Sequence, residues 1–148
     1  MNVALSPDNL ARACADAMWR EDDASKGLGM KIVEIKPGQA TMSMTVQPHM
    51  VNGQRIAHGG FIFLLADSTF AFACNSHNQR AVAAQCDIAF IRPGKLGDVL
   101  VATAREISRS GRSGIYDVTV TREDAEVVAE FRGLSRTVKG TLVLETGV

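Results

Sequence analysis

The chain has 148 residues, of which 46% are hydrophobic and 22% charged, and its 16 basic and 16 acidic side chains give a formal net charge of zero. This length and composition are typical of one globular domain with a full core, here residues 1–148. A balanced charge lacks the basic footprint of a nucleic-acid binder, so we expect no DNA or RNA partner, whereas a small anionic ligand needs only a local patch.

Cysteine usage and hydropathy predict a cytoplasmic protein. Cys14, Cys74 and Cys86 are odd in number, lack metal-ligand spacing and lie in apolar surroundings, which indicates reduced core thiols. The amino terminus has no basic segment followed by an apolar run, so we expect no signal peptide. The most apolar stretch is too short to cross a bilayer and contains a carboxylate, so we expect no membrane association. No histidine is spaced i, i+4 from a carboxylate, which argues against a metal site.

The first part of the chain predicts a helix and a hairpin. Ser6 followed by Pro7 is a helix start, and apolar residues at helical spacing extend the helix over 6–20. A polar loop at 21–23 ends this helix. Alternating apolar residues on both sides of the Pro37-Gly38 turn predict a hairpin. Its strands are predicted over 30–35 and 40–46, and a loop follows over 48–57.

The middle of the chain is a long apolar run. Residues 61–74 are almost wholly apolar, and Asp67 carries the one charge among them. The run is too long for an ordinary strand, so it predicts a helix over 60–76, and a helix that is apolar nearly all round lies inside a protein. A carboxylate there is costly unless it caps a donor or takes part in chemistry, which makes Asp67 the first candidate for a functional residue.

The remainder predicts strands only. They are expected over 81–91, 98–107, 115–121 and 126–139, with a bulge at Gly133, a turn at 92–94, a glycine-rich basic loop at 108–114 and a tight connection at 123–124. Short connections imply an antiparallel meander. Because the helix over 60–76 is the only element apolar enough to cover such a sheet, the predicted fold is an α+β domain with an antiparallel sheet wrapped around a long central helix.

The tripeptide His58-Gly59-Gly60 stands immediately before the central helix. Amides near Gly60 are predicted to be unsatisfied donors with the positive end of the helix dipole behind them, and glycine lets a ligand approach closely. Such an amide could stabilise the oxyanion of an acyl-transfer reaction. The alternative is that the two glycines only form a tight turn into the helix.

Asp67 follows Gly60 by seven residues, which places both on one face of the helix, about 10 Å apart along its axis. One helix cannot hold both groups against the same carbonyl. A second, antiparallel copy would bring the Gly60 end of one chain to Asp67 of the other, so the spacing predicts a two-fold dimer with two composite sites.

Other polar residues are candidates for substrate contacts. Asn52 could orient a water or bind a ligand carbonyl, and His58 is expected to position the loop more than to transfer protons. His49 and His77 are interpreted as surface or loop residues. Basic side chains cluster at turns, and the segment 109–112 has guanidinium groups and open amides that suit a phosphate, although a solvated loop is the alternative. The cluster comprises Arg92, Lys95, Arg109, Arg112, Arg136 and Lys139.

The order and spacing of these motifs resemble the PaaI-type hotdog acyl-CoA thioesterases. The similarity covers nearly the whole chain, and the residues that carry it are Asn52, 58–60, Asp67, 81–86, 90–98, 109–114 and 129–133. The resemblance implies the hotdog fold and hydrolysis of an acyl-CoA, with an aryl-acetyl or hydroxylated phenylacetyl group and a role in phenylacetate degradation. It also implies a homodimer that pairs into a homotetramer, and coenzyme A as part of the substrate with no further cofactor.

The resemblance implies roles for single residues as well. Asp67 matches the family's catalytic carboxylate, which acts as nucleophile or as base for water. The Gly60 amide would polarise the thioester carbonyl, with His58 and Gly59 in its supporting turn. The residues implied in substrate or coenzyme A binding are Gly59, Arg92, Arg109, Ser110, Gly111 and Arg112.

Asn52 matches an active-site asparagine of related thioesterases. Some relatives carry a serine or threonine on the strand after the helix, where this chain has Ala83 and Ala84. That difference removes a hydroxyl group that could position a water.

Two other functions remain open. A hydratase of the same fold would need a histidine–acid pair at the reacting carbon, and the sequence offers none beyond His58 with a distant partner. A non-catalytic acyl-CoA-binding module would need no such pair. Substitution of Asp67 separates a binder from an enzyme, because a binder has no turnover to lose.

Overall fold

The computed structural model describes residues 4–144. Its helices are α1 (Pro7–Glu21), α2 (Asp23–Gly27) and α3 (Gly59–Cys74), with a 3₁₀ turn at Pro48–Met50. Its strands are β1 (Lys31–Lys36), β2 (Gln39–Thr45), β3 (Ala81–Phe90), β4 (Val99–Ser110), β5 (Ser113–Thr121) and β6 (Val127–Thr137). Every helix and strand predicted from the sequence is present.

The six strands form one sheet in the order β1-β2-β4-β5-β6-β3, with every neighbouring pair antiparallel. Because α3 contacts all six strands, the predicted wrapping of a sheet around a central helix is confirmed. The simple meander is wrong for β3, which pairs with β6 and lies at the sheet edge. The connection to β4 crosses the loop before α3, where the Ala57 N–H donates to the Gly94 carbonyl and the Gly97 N–H donates to the Val46 carbonyl.

One side of α3 packs on the sheet, and the other side is only half covered. The buried side chains include Ile62, Leu65, Ala66, Thr69, Phe70, Phe72 and Ala73. The half-exposed ones include Phe63, Leu64, Asp67, Ser68 and Ala71. The prediction that this helix is buried nearly all round is therefore wrong, because one sheet covers one side of a helix. The half-exposed side is an apolar stripe with Asp67 as its charge.

Gly133 lets α3 lie close to the sheet. A Cβ atom on Gly133 would lie 2.8 Å from the ring of Phe70 on α3, closer than side chains tolerate. Gly133 is paired in register with Cys86 and Tyr116. The predicted bulge at Gly133 is wrong, because the unpaired residue is Ala84 on the neighbouring strand β3.

The basic segment 108–114 is a tight hairpin and not a glycine-rich loop. β4 continues to Ser110 and β5 begins at Ser113, so only Gly111 and Arg112 lie between the strands. Gly111 has a φ of 59°, the left-handed conformation that glycine adopts without strain and that two-residue hairpin turns favour. The loop prediction failed because serine and glycine are weak strand formers, and pairing with β6 overrides that preference.

The short helix α2 replaces the polar loop predicted at 21–23. Asp22 is its N-cap and accepts the Ser25 N–H at 2.9 Å, while the Ser25 hydroxyl donates to the other carboxylate oxygen at 2.7 Å. The same hydroxyl lies 2.8 Å from the Ser68 hydroxyl on α3. The cap therefore also ties α2 to the central helix.

The outer face of the sheet carries a row of alternating charges. Arg105, Asp117, Arg132 and Asp87 lie directly opposite one another on β4, β5, β6 and β3. Arg132 donates to both carboxylate oxygens of Asp117, at 2.6 and 2.9 Å, and these hydrogen bonds hold the pKa of Asp117 below its ordinary value. We refer to these four residues as the outer charge row.

Candidate active site

Asp67 lies on the half-exposed side of α3, and no partner for it is found among the described residues. Among residues 4–144, its carboxylate makes no hydrogen bond or ion pair, so the alternative that it caps a donor finds no support. Burial raises the pKa of this carboxyl above its ordinary value. A carboxylate that is partly withdrawn from water and left unpaired is suited to act as a base or a nucleophile.

The unpaired carboxylate should lower stability, so we expect Asp67→Asn to raise the melting temperature at neutral pH. Because burial raises the folded-state pKa above the unfolded-state value, the folded form binds the proton more tightly, and the free energy of unfolding falls as the pH rises through that interval. The gain should vanish toward about pH 3, where the carboxyl is protonated in both states.

Thermal unfolding at the two pH values measures this gain. Asp16→Asn, at an exposed position on α1, is the matched control and should leave the melting temperature nearly unchanged. An Asp67→Asn variant that melts below the parent protein at neutral pH would show that the carboxylate has a stabilising partner.

His58 caps the start of α3. Its Nδ1 accepts the Gly60 N–H at 2.9 Å, and its ring packs edge-on against Phe61. Since Nδ1 is the acceptor, a neutral His58 carries its proton on Nε2. The prediction that the Gly60 amide is an unsatisfied donor is wrong, because the N-cap side chain takes its hydrogen. The contact supports a positioning role for His58.

The free amide at this helix start belongs to Gly59. Within the described chain its N–H has no acceptor, and it has the positive end of the α3 dipole behind it. A Cβ atom on Gly59 would lie 2.8 Å from Cζ of Phe90, so the Phe90 ring lies against the Gly59 backbone. A cavity of about 460 Å³ opens beside them. Its apolar lining consists of Ile56, Ala57, Ile62, Phe90, Ile91 and Pro93.

Asn52 and Arg92 line the same cavity, but both are already engaged. The Asn52 Oδ1 accepts the backbone N–H groups of Gln54 at 3.0 Å and Ile56 at 3.4 Å, which leaves its Nδ2 group to face a ligand. Arg92 pairs through Nε with Glu126 at 3.1 Å, and it also donates to a backbone carbonyl of β6. Asn52 can therefore donate a hydrogen bond in this cavity, whereas Arg92 mainly shapes its rim.

Arg109 lines a second cavity, of about 260 Å³, at the carboxyl end of α3. In the described residues its guanidinium has no hydrogen-bond partner, and its charge acts through space on Glu106 and Tyr116. Arg112, in contrast, donates to the Thr137 carbonyl at 3.2 Å. Of these two arginines, Arg109 has the available guanidinium.

The open amides predicted at Ser110 and Gly111 are not found as a cradle. Ser110 is paired with Ser113 at the end of the hairpin, and the two-residue turn leaves no wider loop. The group that this segment could offer to a phosphate is therefore the Arg109 side chain.

His77, which lines the second cavity, belongs to a histidine–carboxylate pair that the sequence analysis missed. His77 Nε2 lies 2.9 Å from Glu106 Oε1, and the Tyr116 hydroxyl donates to the same oxygen at 2.8 Å. Burial alone would raise the pKa of Glu106, but the hydrogen bonds from Tyr116 and His77 outweigh it and lower that pKa. His77 does lie in a turn, as predicted. Its partner is 29 residues away, a separation that carries no spacing signal.

The sequence analysis argued against a hydratase because it found no suitable histidine–acid pair. His77 and Glu106 form such a pair, but its position does not favour a hydratase. It lies beyond the end of α3, about 24 Å along the helix from Gly59 at the 1.5 Å rise of its 16 residues. The Glu106 oxygen that meets His77 is also occupied by Tyr116. The pair therefore acts as a support for the buried tyrosine.

One chain brings some predicted site residues together and separates others. Asn52, Gly59 and Arg92 surround the cavity at the start of α3. Arg109 lines the other cavity, at the carboxyl end of that helix. Asp67 is eight residues from Gly59, about 12 Å along the helix. In residues 4–144, no three histidine, cysteine, aspartate or glutamate side chains converge as metal ligands would.

Residues 54–129, from the loop before α3 into β6, match the family described as the thioesterase superfamily. The chain belongs to the thioesterase superfamily. Acyl-coenzyme A thioesterase PaaI of Escherichia coli K12 is 43% identical over 131 residues, which cover 88% of this chain and 94% of that protein. The sequence resemblance is therefore confirmed.

Solved structures of similar proteins share the fold of this chain. The E. coli PaaI protein from the phenylacetic acid degradation operon superposes with a TM-score of 0.90 at 42% identity, covering 92% of this chain and 99% of that one. This likeness confirms the predicted hotdog fold. A Streptococcus mutans protein bound to acetyl-CoA has a TM-score of 0.73 at 28% identity and covers 76% of this chain and 90% of its own. No helix between residues 4 and 144 is long and apolar enough to cross a membrane.

Proposed function

We propose that the protein hydrolyses acyl-CoA thioesters to a free acid and coenzyme A. The observation that carries the proposal is the Asp67 carboxylate, half-exposed and unpaired on α3 in a chain of the thioesterase superfamily. The E. coli relative is named for this activity, and the S. mutans relative binds acetyl-CoA. A protein that only bound its ligand would not need an unpaired, partly buried carboxylate at this position.

Asp67 supplies the chemistry in one of two ways. As a base, it takes a proton from water while the hydroxide oxygen bonds to the thioester carbon; the carbon–sulfur bond then breaks, and the thiolate of coenzyme A receives the proton. As a nucleophile, its oxygen bonds to the same carbon and expels the thiolate, and water hydrolyses the resulting anhydride. In both routes the negative charge that develops on the carbonyl oxygen is stabilised by a backbone amide.

The amide best placed for that role is the Gly59 N–H, since His58 occupies the Gly60 N–H. Gly59 and Asp67 of one chain lie too far apart to act on one carbonyl, so the proposal includes a homodimer in which Asp67 of each chain faces Gly59 of the other. The half-exposed stripe of α3 and the edge strand β3, with Val82 more than half exposed, offer an apolar surface for such pairing. Association of two dimers into a tetramer belongs to the same proposal.

The acyl group is proposed to be aryl-acetyl, with hydroxylated phenylacetyl as the leading member. Support comes from the likeness to a protein of a phenylacetic acid degradation operon. The substrate's own coenzyme A would serve in place of a separate cofactor, and the reaction would take place in the cytoplasm.

The free guanidinium of Arg109 is proposed to bind a phosphate of coenzyme A. We expect Arg109→Gln to raise KM for an acyl-CoA roughly tenfold and to change kcat little, because a phosphate contact is the same in the ground and transition states. Steady-state kinetics with an acyl-CoA and with the matching N-acetylcysteamine thioester measures this, since the shorter thioester has no phosphate.

Arg105→Gln is the matched control, because Arg105 lies on the same strand but on the outer face of the sheet. It should leave both substrates unaffected. Equal losses on both thioesters for Arg109→Gln would point to general damage and exclude the phosphate contact.

The function itself is tested by a panel of aryl-acetyl, benzoyl and alkyl acyl-CoAs with detection of the released thiol. We expect turnover with aryl-acetyl-CoA and a higher kcat/KM for it than for acetyl-CoA. Binding of acyl-CoA without thiol release from any member would contradict the enzymatic proposal and favour a binding module.

A further inference from the structure

We propose that the apolar cavity beside Gly59 holds the acyl group of the substrate and that Phe90 determines which acyl groups fit. This inference rests on the proposed thioesterase function and adds the direction in which the substrate lies. The reacting carbonyl must lie at the Gly59 N–H, so one arm of the thioester must enter the cavity that opens there. The question is which arm the cavity accepts.

The lining of the cavity fits the acyl arm. Six of its nine lining residues are apolar, and its volume of about 460 Å³ lies in the range of small-molecule sites. The coenzyme A arm carries two amides and charged phosphates, and each of these groups needs a hydrogen-bond partner when it leaves water. Asn52 has its oxygen engaged in the loop, and Arg92 is paired with Glu126. The cavity therefore has few polar groups to offer that arm.

The second cavity, at the carboxyl end of α3, has the opposite character. Six of its lining side chains carry hydroxyl, amide or guanidinium groups, and these are Gln79, Arg109, Ser113, Tyr116, Ser135 and Thr137. The contrast between the two cavities assigns the apolar arm to the Gly59 end.

Phe90 forms the wall nearest to the reacting carbonyl. Its backbone is fixed at the end of β3 by pairing with Ala129, and the following Ile91 N–H donates to the Val128 carbonyl at 2.8 Å. The tip of the ring lies against Gly59, yet the residue is 54% exposed, so part of its surface is open to a ligand. The first carbons of an acyl group held at Gly59 would therefore pass this ring. An aryl acyl group can pack edge-on against it, whereas a long or branched chain meets it as an obstacle.

The experiment compares Phe90→Leu and Phe90→Ala with the unmodified protein. We expect Phe90→Ala to raise the ratio of kcat/KM for octanoyl-CoA over phenylacetyl-CoA by roughly tenfold, as a few methylene groups of pocket space allow. Phe90→Leu, which keeps most of the volume but loses the ring, should lower kcat/KM for phenylacetyl-CoA while octanoyl-CoA stays disfavoured. Val33→Ala, at an exposed apolar position on β1 away from this cavity, is the control and should leave the ratio unchanged.

Truncated substrates distinguish the two arms. The change in ratio should persist with octanoyl and phenylacetyl thioesters of N-acetylcysteamine, which lack the nucleotide and most of the coenzyme A arm. If the change disappears with the truncated thioesters, the cavity holds the coenzyme A arm and the assignment is wrong. Parallel losses on both acyl groups would likewise overturn it. If the unmodified protein releases no thiol from any of these substrates, the proposed thioesterase function itself is wrong, an outcome distinct from a Phe90 effect that fails in an active enzyme.

Discussion

Asp67→Asn is expected to lower kcat for aryl-acetyl-CoA by roughly 10²–10⁴, the usual cost of removing a general base or nucleophile. The amide cannot accept a proton from water and is a poor nucleophile, while it keeps the size and shape of the carboxyl. Binding of coenzyme A, measured by calorimetry, should persist because the proposed phosphate contact lies on Arg109. The pH profile of the unmodified enzyme should show an acid limb above the ordinary aspartate range of about 3.9, since burial raises the pKa of Asp67.

Two measurements show whether the loss of activity comes from removal of the Asp67 carboxylate itself. The Asn variant should be folded and at least as heat-stable as the parent protein at neutral pH, which excludes loss of activity through unfolding. Asp16→Asn on α1 should retain full turnover. An Asp67→Asn enzyme with near-parental kcat would remove Asp67 from the mechanism.

Mixing two inactive variants is expected to restore activity. Gly59→Val should be inactive, because its side chain would displace the Phe90 ring and block the carbonyl position. If Asp67 of one chain acts with Gly59 of the other, a hybrid dimer of Gly59→Val and Asp67→Asn has one intact site and one doubly defective site. Random pairing of equal amounts should therefore give about a quarter of the parental activity.

Hybrid formation must be measured separately, for example with two affinity tags and native mass spectrometry. Each variant refolded alone is the control and should stay inactive. Hybrid dimers without turnover would mean that both groups act from one chain. A protein that stays monomeric and fully active would rule out the composite site altogether.

The fold was largely predictable from the sequence because its elements differ sharply in period. The apolar run at 61–74 reads as a helix, and the alternating segments after it read as strands. Strand order was less accessible, since the pairing of β3 with β6 depends on contacts far apart in sequence. The hairpin at Gly111 was missed for a related reason: local residue preference favoured a loop, but pairing with β6 keeps this segment in the sheet.

The sequence predicted the part of the candidate site that has an unusual energetic cost. It did not predict the parts that depend on contacts in the folded chain. Asp67 is visible because a lone charge in an apolar helix needs an explanation. The sequence could not show that the free amide is that of Gly59 and not that of Gly60, because this depends on which N–H donates to the His58 ring. Phe90 and the His77–Glu106 pair gave no signal, because their neighbours lie far away along the chain.

The outer charge row has a consequence for how chains of this protein meet. β3 is an edge strand, and an open edge can pair with any extended chain, which is a common origin of aggregates. Asp87 stands on that edge with Arg132 beside it on one side only. When two β3 strands pair antiparallel, any register that places the two Asp87 side chains directly opposite each other sets like charges together and is disfavoured. The row therefore makes edge-to-edge association selective, admitting some alignments of two copies and rejecting others.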